Sequence, residues 1–175
     1  MIPRNTADLR LVYYPAPILK KRAVPIEHRG ADVAALAARM FEIMREGKGL
    51  GLAAPQVGVG VRLFVCNATG EPQDDIIFVN PRLRDMNGSG EKEEGCLSIP
   101  GVNVTMRRPV SAGIDALDVK GRPFSLTGME LLARVWQHEM DHLDGRLIID
   151  NMSATDEIAN RRAVKQLKQD YASAR

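Results

Sequence analysis

The 175 residues, 45% hydrophobic and 26% charged, suit one soluble globular unit over residues 1–175 and are too few for two full cores. With 24 basic and 22 acidic side chains, the formal charge of +2 excludes a protein wrapped around nucleic acid and confines any RNA contact to a local patch. No apolar run approaches the length of a membrane span, and Met1-Ile-Pro-Arg-Asn-Thr6 lacks the features of a secretion signal, so the expected compartment is the cytoplasm.

Residues 31–46 place Val33, Leu36, Ala37, Met40, Ile43 and Met44 at helical intervals, and Gly47 ends the run. Short strands are expected near 61–66, 76–80, 102–106, 111–118 and 123–126, with turns at Gly101 and Lys120-Gly121. Cys66 closes a β-rich run and reads as a small core hydrophobe. Thr127-Gly-Met-Glu130 has the spacing of a capping box, so a second helix should start there, run through Leu131, Leu132, Val135 and Trp136, and stop at Asp144-Gly145. Ser153-Ala-Thr-Asp156 offers the cap of a last helix reaching about Tyr171. Its basic residues Arg161, Arg162, Lys165 and Lys168 read as a solvated face, beside a narrow apolar stripe of Ile158, Val164, Leu167 and Tyr171. The fold class is α+β: antiparallel strands packed around a central helix, with an N-terminal and a C-terminal helix.

The central helix carries His138-Glu-Met-Asp-His142. Two histidines four apart on a helix project from one face and can share a metal ion, and the glutamate between them is free to serve as a general base toward water. Leu131 and Val135 follow on the same face, Val135 beside the metal and Leu131 as a core residue, while Leu132 and Trp136 point into the core. A catalytic site of this kind needs a third protein ligand. The extended metalloprotease pattern fails because Ile148 stands where its third histidine belongs, and His28 reads as a surface residue. Asp144, Asp150, Asp156 and Glu157 remain available for a site of two histidines and a carboxylate. Cys96, in Glu93-Glu-Gly-Cys-Leu-Ser98, offers a thiolate where a glycine permits close approach and charged neighbours indicate a surface or cleft. A disulfide to Cys66 is not expected in a reducing compartment.

Gly49-Leu-Gly-Leu-Ala-Ala-Pro-Gln56, Glu94-Gly-Cys-Leu-Ser98 and Gln137-His-Glu-Met-Asp-His142 together resemble the three signature motifs of the peptide deformylase family, in the same order. The resemblance runs over roughly residues 9–152, including Phe78-Val-Asn-Pro81 and His142-Leu-Asp-Gly145. It implies a metal-dependent amidase that removes the formyl group from the N-terminal formyl-methionine of new polypeptides and releases formate. It implies Cys96, His138 and His142 as ligands of one divalent ion, Fe(II) in the cell and zinc or nickel after purification. Glu139 would be the general acid/base, and the Gln56 amide and the Leu97 backbone N–H the donors to the developing oxyanion. Leu50, Gly51 and Gly95 would line a cleft that holds the peptide as an added strand, with Val135 beside the methionine side chain. Some bacterial members dock on the ribosome through the terminal helix, so the expected partners are formyl-methionyl nascent chains and the ribosome, with neither membrane nor DNA. A metallopeptidase using the same helix is the competing reading.

Overall fold

Helix α1 (Ala31–Glu46) buries all six apolar positions chosen from its periodicity, and Phe41 with them. In this computed structural model, which describes residues 2–3, 5–27 and 30–174, α1 covers one face of a five-stranded antiparallel sheet. His28 lies outside the described residues. The sheet is built from β1 (Gly51–Ala53), β2 (Leu63–Cys66), β3 (Ile76–Asn87), β6 (Ser111–Leu117) and β7 (Pro123–Met129), in the order β1-β2-β3-β6-β7. Strands β4 (Gly90–Gly95) and β5 (Asn103–Arg108) pair separately. Helix α2 (Glu130–Leu143) lies against the opposite face of the sheet.

Strand β2 is buried throughout because it is covered on both sides. Leu63 and Val65 pack with α1, whereas Phe64 and Cys66, one step out of phase, pack with α2. Phe64 stacks on Phe78 with centroids 4.4 Å apart, and Phe78 meets Trp136 of α2 edge-on at 5.8 Å. This aromatic ladder fixes the depth at which α2 sits on the sheet.

Several elements depart from the sequence reading. β1 and β4 are additional strands, and β3 runs on to Asn87 rather than ending near residue 80. Pro81 ends the expected strand on paper, but the register slips between Val79 and Arg82, and at such a bulge a residue without an N–H is tolerated. The capping box expected at Thr127–Glu130 does not form. Thr127 pairs with Gly113 in the β6–β7 ladder, and α2 follows β7 directly, with Glu130 at φ 49° and its N–H bonded to Val110 O. The helix ends as expected, where Gly145 takes φ 73° with the Lys20 carbonyl 2.7 Å from where a Cβ would stand.

Helix α3 (Ala154–Ser173) has the expected cap: Ser153 Oγ accepts from Asp156 N–H at 3.1 Å, and the Asp156 carboxylate accepts from Ser153 N–H at 3.2 Å. Val164, Leu167 and Tyr171 pack on the β5 side of the molecule, but Ile158 is 67% exposed and does not join their stripe. The buried Asn160 pins α3 to β5 through both backbone groups of Asn103. Among the described residues, no helix is long and apolar enough to cross a membrane.

Candidate metal centre

Three chain segments meet at the face of α2 that carries the histidines. The rings of His138 and His142 lie 5.0 Å apart between centroids. The segment leaving β4 brings Cys96 Sγ to 3.3 Å from His142 Nε2, and the ligand atoms of Cys96, His138 and His142 all lie within 4.8 Å of one another. A tetrahedral zinc-like ion, with bonds of about 2.3 Å to sulfur and 2.0 Å to nitrogen, holds its donors roughly 3.3–3.6 Å apart, so the set fits a divalent ion after small movements. A thiolate with two imidazoles also suits borderline-soft metals.

None of the alternative third ligands is nearby. Asp144 pairs with Arg62, Asp150 with Lys20, and Asp156 caps α3. Glu157 is exposed at the start of α3, and Ile148 is a buried apolar side chain with no ligand atom. Both cysteines are free.

His138 Nδ1 lies 3.1 Å from Glu94 Oε2, an arrangement in which Nδ1–H donates and Nε2 is left with its lone pair toward the sulfur and the second ring. Glu94 in turn accepts from Arg108 Nε at 2.6 Å and Nη2 at 2.9 Å, and from Arg134 Nη1 at 2.6 Å. Arg108 continues to Asp141 at 2.8 Å. Burial opposes ionisation of Glu94, but the bonds from His138 and Arg108 override it and hold its carboxyl down at about 2. His142 is pushed well below the usual imidazole range, first by burial and then by the neighbouring charges of His138 and Arg108. Its buried Nδ1 has no partner among the described residues.

Glu139 is 3% exposed, and its Oε2 has no hydrogen-bond partner among the described residues. Burial pushes its carboxyl up to about 7, against the attraction of His138 and Arg108. Gly51 accommodates this side chain, since a Cβ at position 51 would stand 2.5 Å from Glu139 Oε1. Gln56 sits in a short 3-10 turn, where its Oε1 accepts from Ala53 N–H at 2.8 Å. Its Nε2 therefore points toward the Cys96 segment, donating to Ser98 Oγ at 3.2 Å and lying 3.6 Å from Cys96 Sγ. The Leu97 N–H makes no hydrogen bond among the described residues, and the Leu97 side chain packs over Gly47 and Gly49.

A cavity of about 430 Å³ opens over these groups. Leu50, Gly51 and Gln56 form one wall, Gly95, Cys96 and Leu97 the other, and Val135, His138 and Glu139 the floor. His142 lies beneath the floor, buried. Leu131, expected in the core, is instead 48% exposed at the rim of the cavity, in the first turn of α2.

Sequence reasoning missed Glu94, Arg108 and Arg134. The charged run Glu91-Lys-Glu-Glu94 reads as surface, yet Glu94 is 7% exposed. One signal was available in β5, where Val104, Met106 and Arg108 share the inward parity.

The family model described as Polypeptide deformylase matches residues 9–157. The chain belongs to that family. Among relatives, the chloroplastic peptide deformylase 1B of Solanum lycopersicum is 44% identical over 153 residues, 86% of this chain. The peptide deformylase of Acidobacterium capsulatum is 40% identical over 146 residues, 82% of this chain and 86% of its own length. The chain spans 54% and 61% of the length of the tomato and Arabidopsis thaliana deformylases it matches. A plant peptide deformylase PDF1B crystal structure superposes with a TM-score of 0.92 at 36% identity, covering 98% of this chain and 95% of that one. For the Plasmodium falciparum deformylase the values are 0.90, 34%, 94% and 98%. The deformylase family is metal-dependent, and the Cys96, His138 and His142 cluster is the described group that could hold the ion.

Proposed function

We propose that this deformylase removes the N-formyl group from the N-terminal formyl-methionine of newly made polypeptides, releasing formate and a free amine. The observation that carries this reading is a buried glutamate with an unpartnered carboxylate oxygen, on the same helix face as two imidazoles that meet a cysteine sulfur within 4.8 Å. Residues 1–175 are read as one catalytic domain, with α3 as its C-terminal helix.

Cys96, His138 and His142 would hold one divalent ion, Fe(II) in the cell, with zinc or nickel as replacements in purified protein. When bound, it supplies Lewis acidity toward the formyl oxygen and makes water a nucleophile near neutral pH. Glu139 is placed to take the proton from the attacking water and to return it to the departing amine nitrogen, one carboxylate serving both transfers. Gln56 Nε2–H and Leu97 N–H donate to the formyl oxygen as it becomes negative; the Gln56 amide is oriented beforehand by Ala53 N–H, and the Leu97 N–H is free to donate. Val135 supports the methionine side chain, and Leu50, Gly51 and Gly95 offer main-chain groups to an extended peptide. The cleft is lined by glycines and a cysteine sulfur, and Asp144, Asp150 and Asp156 are engaged elsewhere, which favours deformylation over cleavage of internal bonds.

The working compartment is read as the cytoplasm, although the names of the tomato and Arabidopsis relatives place those proteins in chloroplasts or mitochondria. The exposed Arg161, Arg162, Lys165 and Lys168 of α3 are read as a face that meets the ribosome where nascent chains emerge. The deciding assay measures formate release from formyl-Met-Ala-Ser by anaerobically purified protein, with metal content determined on the same sample. Release that tracks metal content is expected. Cleavage of casein without formate release would overturn the reading in favour of a peptidase.

A further inference from the structure

A second and larger cavity, about 840 Å³, lies behind α2 on the side away from the cleft, and five arginines line it: Arg22, Arg62, Arg82, Arg108 and Arg146. Two carboxylates face them, and both are already engaged. Asp141 accepts from Arg108 at 2.8 Å and Arg146 at 3.0 Å, while Asp144 accepts from Arg62 at 2.8 Å and Arg146 at 3.4 Å. The lining amides are also satisfied within the fold: Gln137 Nε2 donates to Pro109 O and Ala133 O, and Asn80 bonds both backbone groups of Ile26.

The groups left over are donors. Arg82 has no ion-pair or hydrogen-bond partner among the described residues, and Arg22 approaches Asp144 only at 3.9 Å. Five positive charges face two negative ones, or three when the buried Glu94 that shares Arg108 is counted, so the cavity keeps an excess of at least two positive charges. Guanidinium groups present planar forks that match phosphate oxygens in pairs. Pro25, Leu83, Met86 and Met140 supply an apolar wall beside them. The cavity volume falls in the range of sites that enclose small organic ligands.

We propose that this cavity is a binding site for a phosphate-bearing ligand of nucleotide size, distinct from the metal centre. The phosphates lie between Arg22, Arg62 and Arg82, and the body of the ligand rests on the apolar wall. Phosphates of this kind come either from a free nucleotide or from an RNA backbone.

Isothermal titration of the metal-loaded protein with ATP and, separately, with an octameric oligouridylate distinguishes the two sources. Saturable uptake of one equivalent of ATP is expected, weakened about tenfold or more in the double variant Arg22→Ala with Arg82→Ala. Formate release from formyl-Met-Ala-Ser should be unchanged in that variant, which also shows that it is folded. Tighter binding of the oligouridylate, lost in the same variant, would support the site and make RNA the source of the phosphates. Absence of saturable binding up to millimolar ATP and oligouridylate, or equal affinity in wild type and variant, would overturn the proposal. Arg82→Glu serves as an independent check, because reversing one charge must weaken both ligands more than removing it.

Discussion

The flank of α2 that faces β4 and β5 and the flank that faces β1 each bury one glutamate, and the two are treated differently. Glu94 is surrounded by Arg108, Arg134 and His138, and its carboxyl is held down at about 2. Glu139 lies under Gly51 with one oxygen lacking any donor among the described residues, and burial pushes its carboxyl up to about 7. A buried carboxylate is ordinarily paired, because an unpaired one forfeits its hydration without compensation. Glu94 therefore belongs to the framework, and under the proposed function the free oxygen of Glu139 is the one kept for proton transfer. The hardest test of that contrast is Glu139→Ala. Formate release should fall about 10²–10⁴-fold, the usual contribution of a general acid/base, with bound metal unchanged on elemental analysis. Turnover within a few fold of wild type would erase the distinction.

The converse variant is Glu94→Ala. It strips the carboxylate from Arg108 and Arg134 and leaves buried guanidinium groups without their main partner, which should lower stability by about 3–5 kcal/mol in urea denaturation. Asp141 still accepts from Arg108 and keeps the loss from being larger. A change below about 1 kcal/mol would mean that Glu94 is not the keystone of its flank.

How much of this was legible in the sequence differs between the same two flanks. The helices α1 and α2 announce themselves by periodicity, and the spacing of His138, Glu139 and His142 places all three within one turn of α2 before any coordinates are known. The convergence of Cys96 on that face cannot be deduced from spacing, because it depends on how the β4–β5 pair docks against α2. Its local setting makes Cys96 one candidate beside several carboxylates, and the resemblance of the three motifs singles it out. The Glu94 flank was hidden for a further reason. Strand β4 contains no β-branched or aromatic residue, so it carries no strand signature. Buried ion pairs look like surface charge in a linear reading. The cap of α2 was misread because Thr127 could serve either a helix start or a strand, and seven cross-strand pairs between β6 and β7 outweigh one capping box.

Cys66 extends the comparison to a third buried acid. It sits in β2 behind α2, and burial pushes its thiol up to about 12 from an ordinary 9.0, so the folded chain holds it neutral. Since the folded pKa lies above the unfolded one, this contribution to stability is complete below pH 9 and is lost as pH rises from 9 toward 12, at about 1.4 kcal/mol per pH unit. Lysines and tyrosines also titrate there, so the measurement is the difference between wild type and Cys66→Val in urea denaturation at a series of pH values. Wild type should lose stability relative to Cys66→Val as pH rises above 9, and parallel curves would show that the thiol ionises without penalty.

The smallest effect sharpens the contrast most, because it compares one substitution at two places. Glu→Gln keeps the shape of the side chain and removes its charge. At Glu94 it deprives the buried Arg108 and Arg134 of their counter-charge, so stability must fall. At Glu139 it replaces a buried oxygen that has no donor with a neutral amide, so stability of the metal-free protein should rise by about 1 kcal/mol while formate release collapses. Opposite signs in urea denaturation would show that Glu139 is retained against the interest of the fold, whereas a fall in both variants would mean that the free oxygen of Glu139 finds a partner in solution and that the two flanks are built alike.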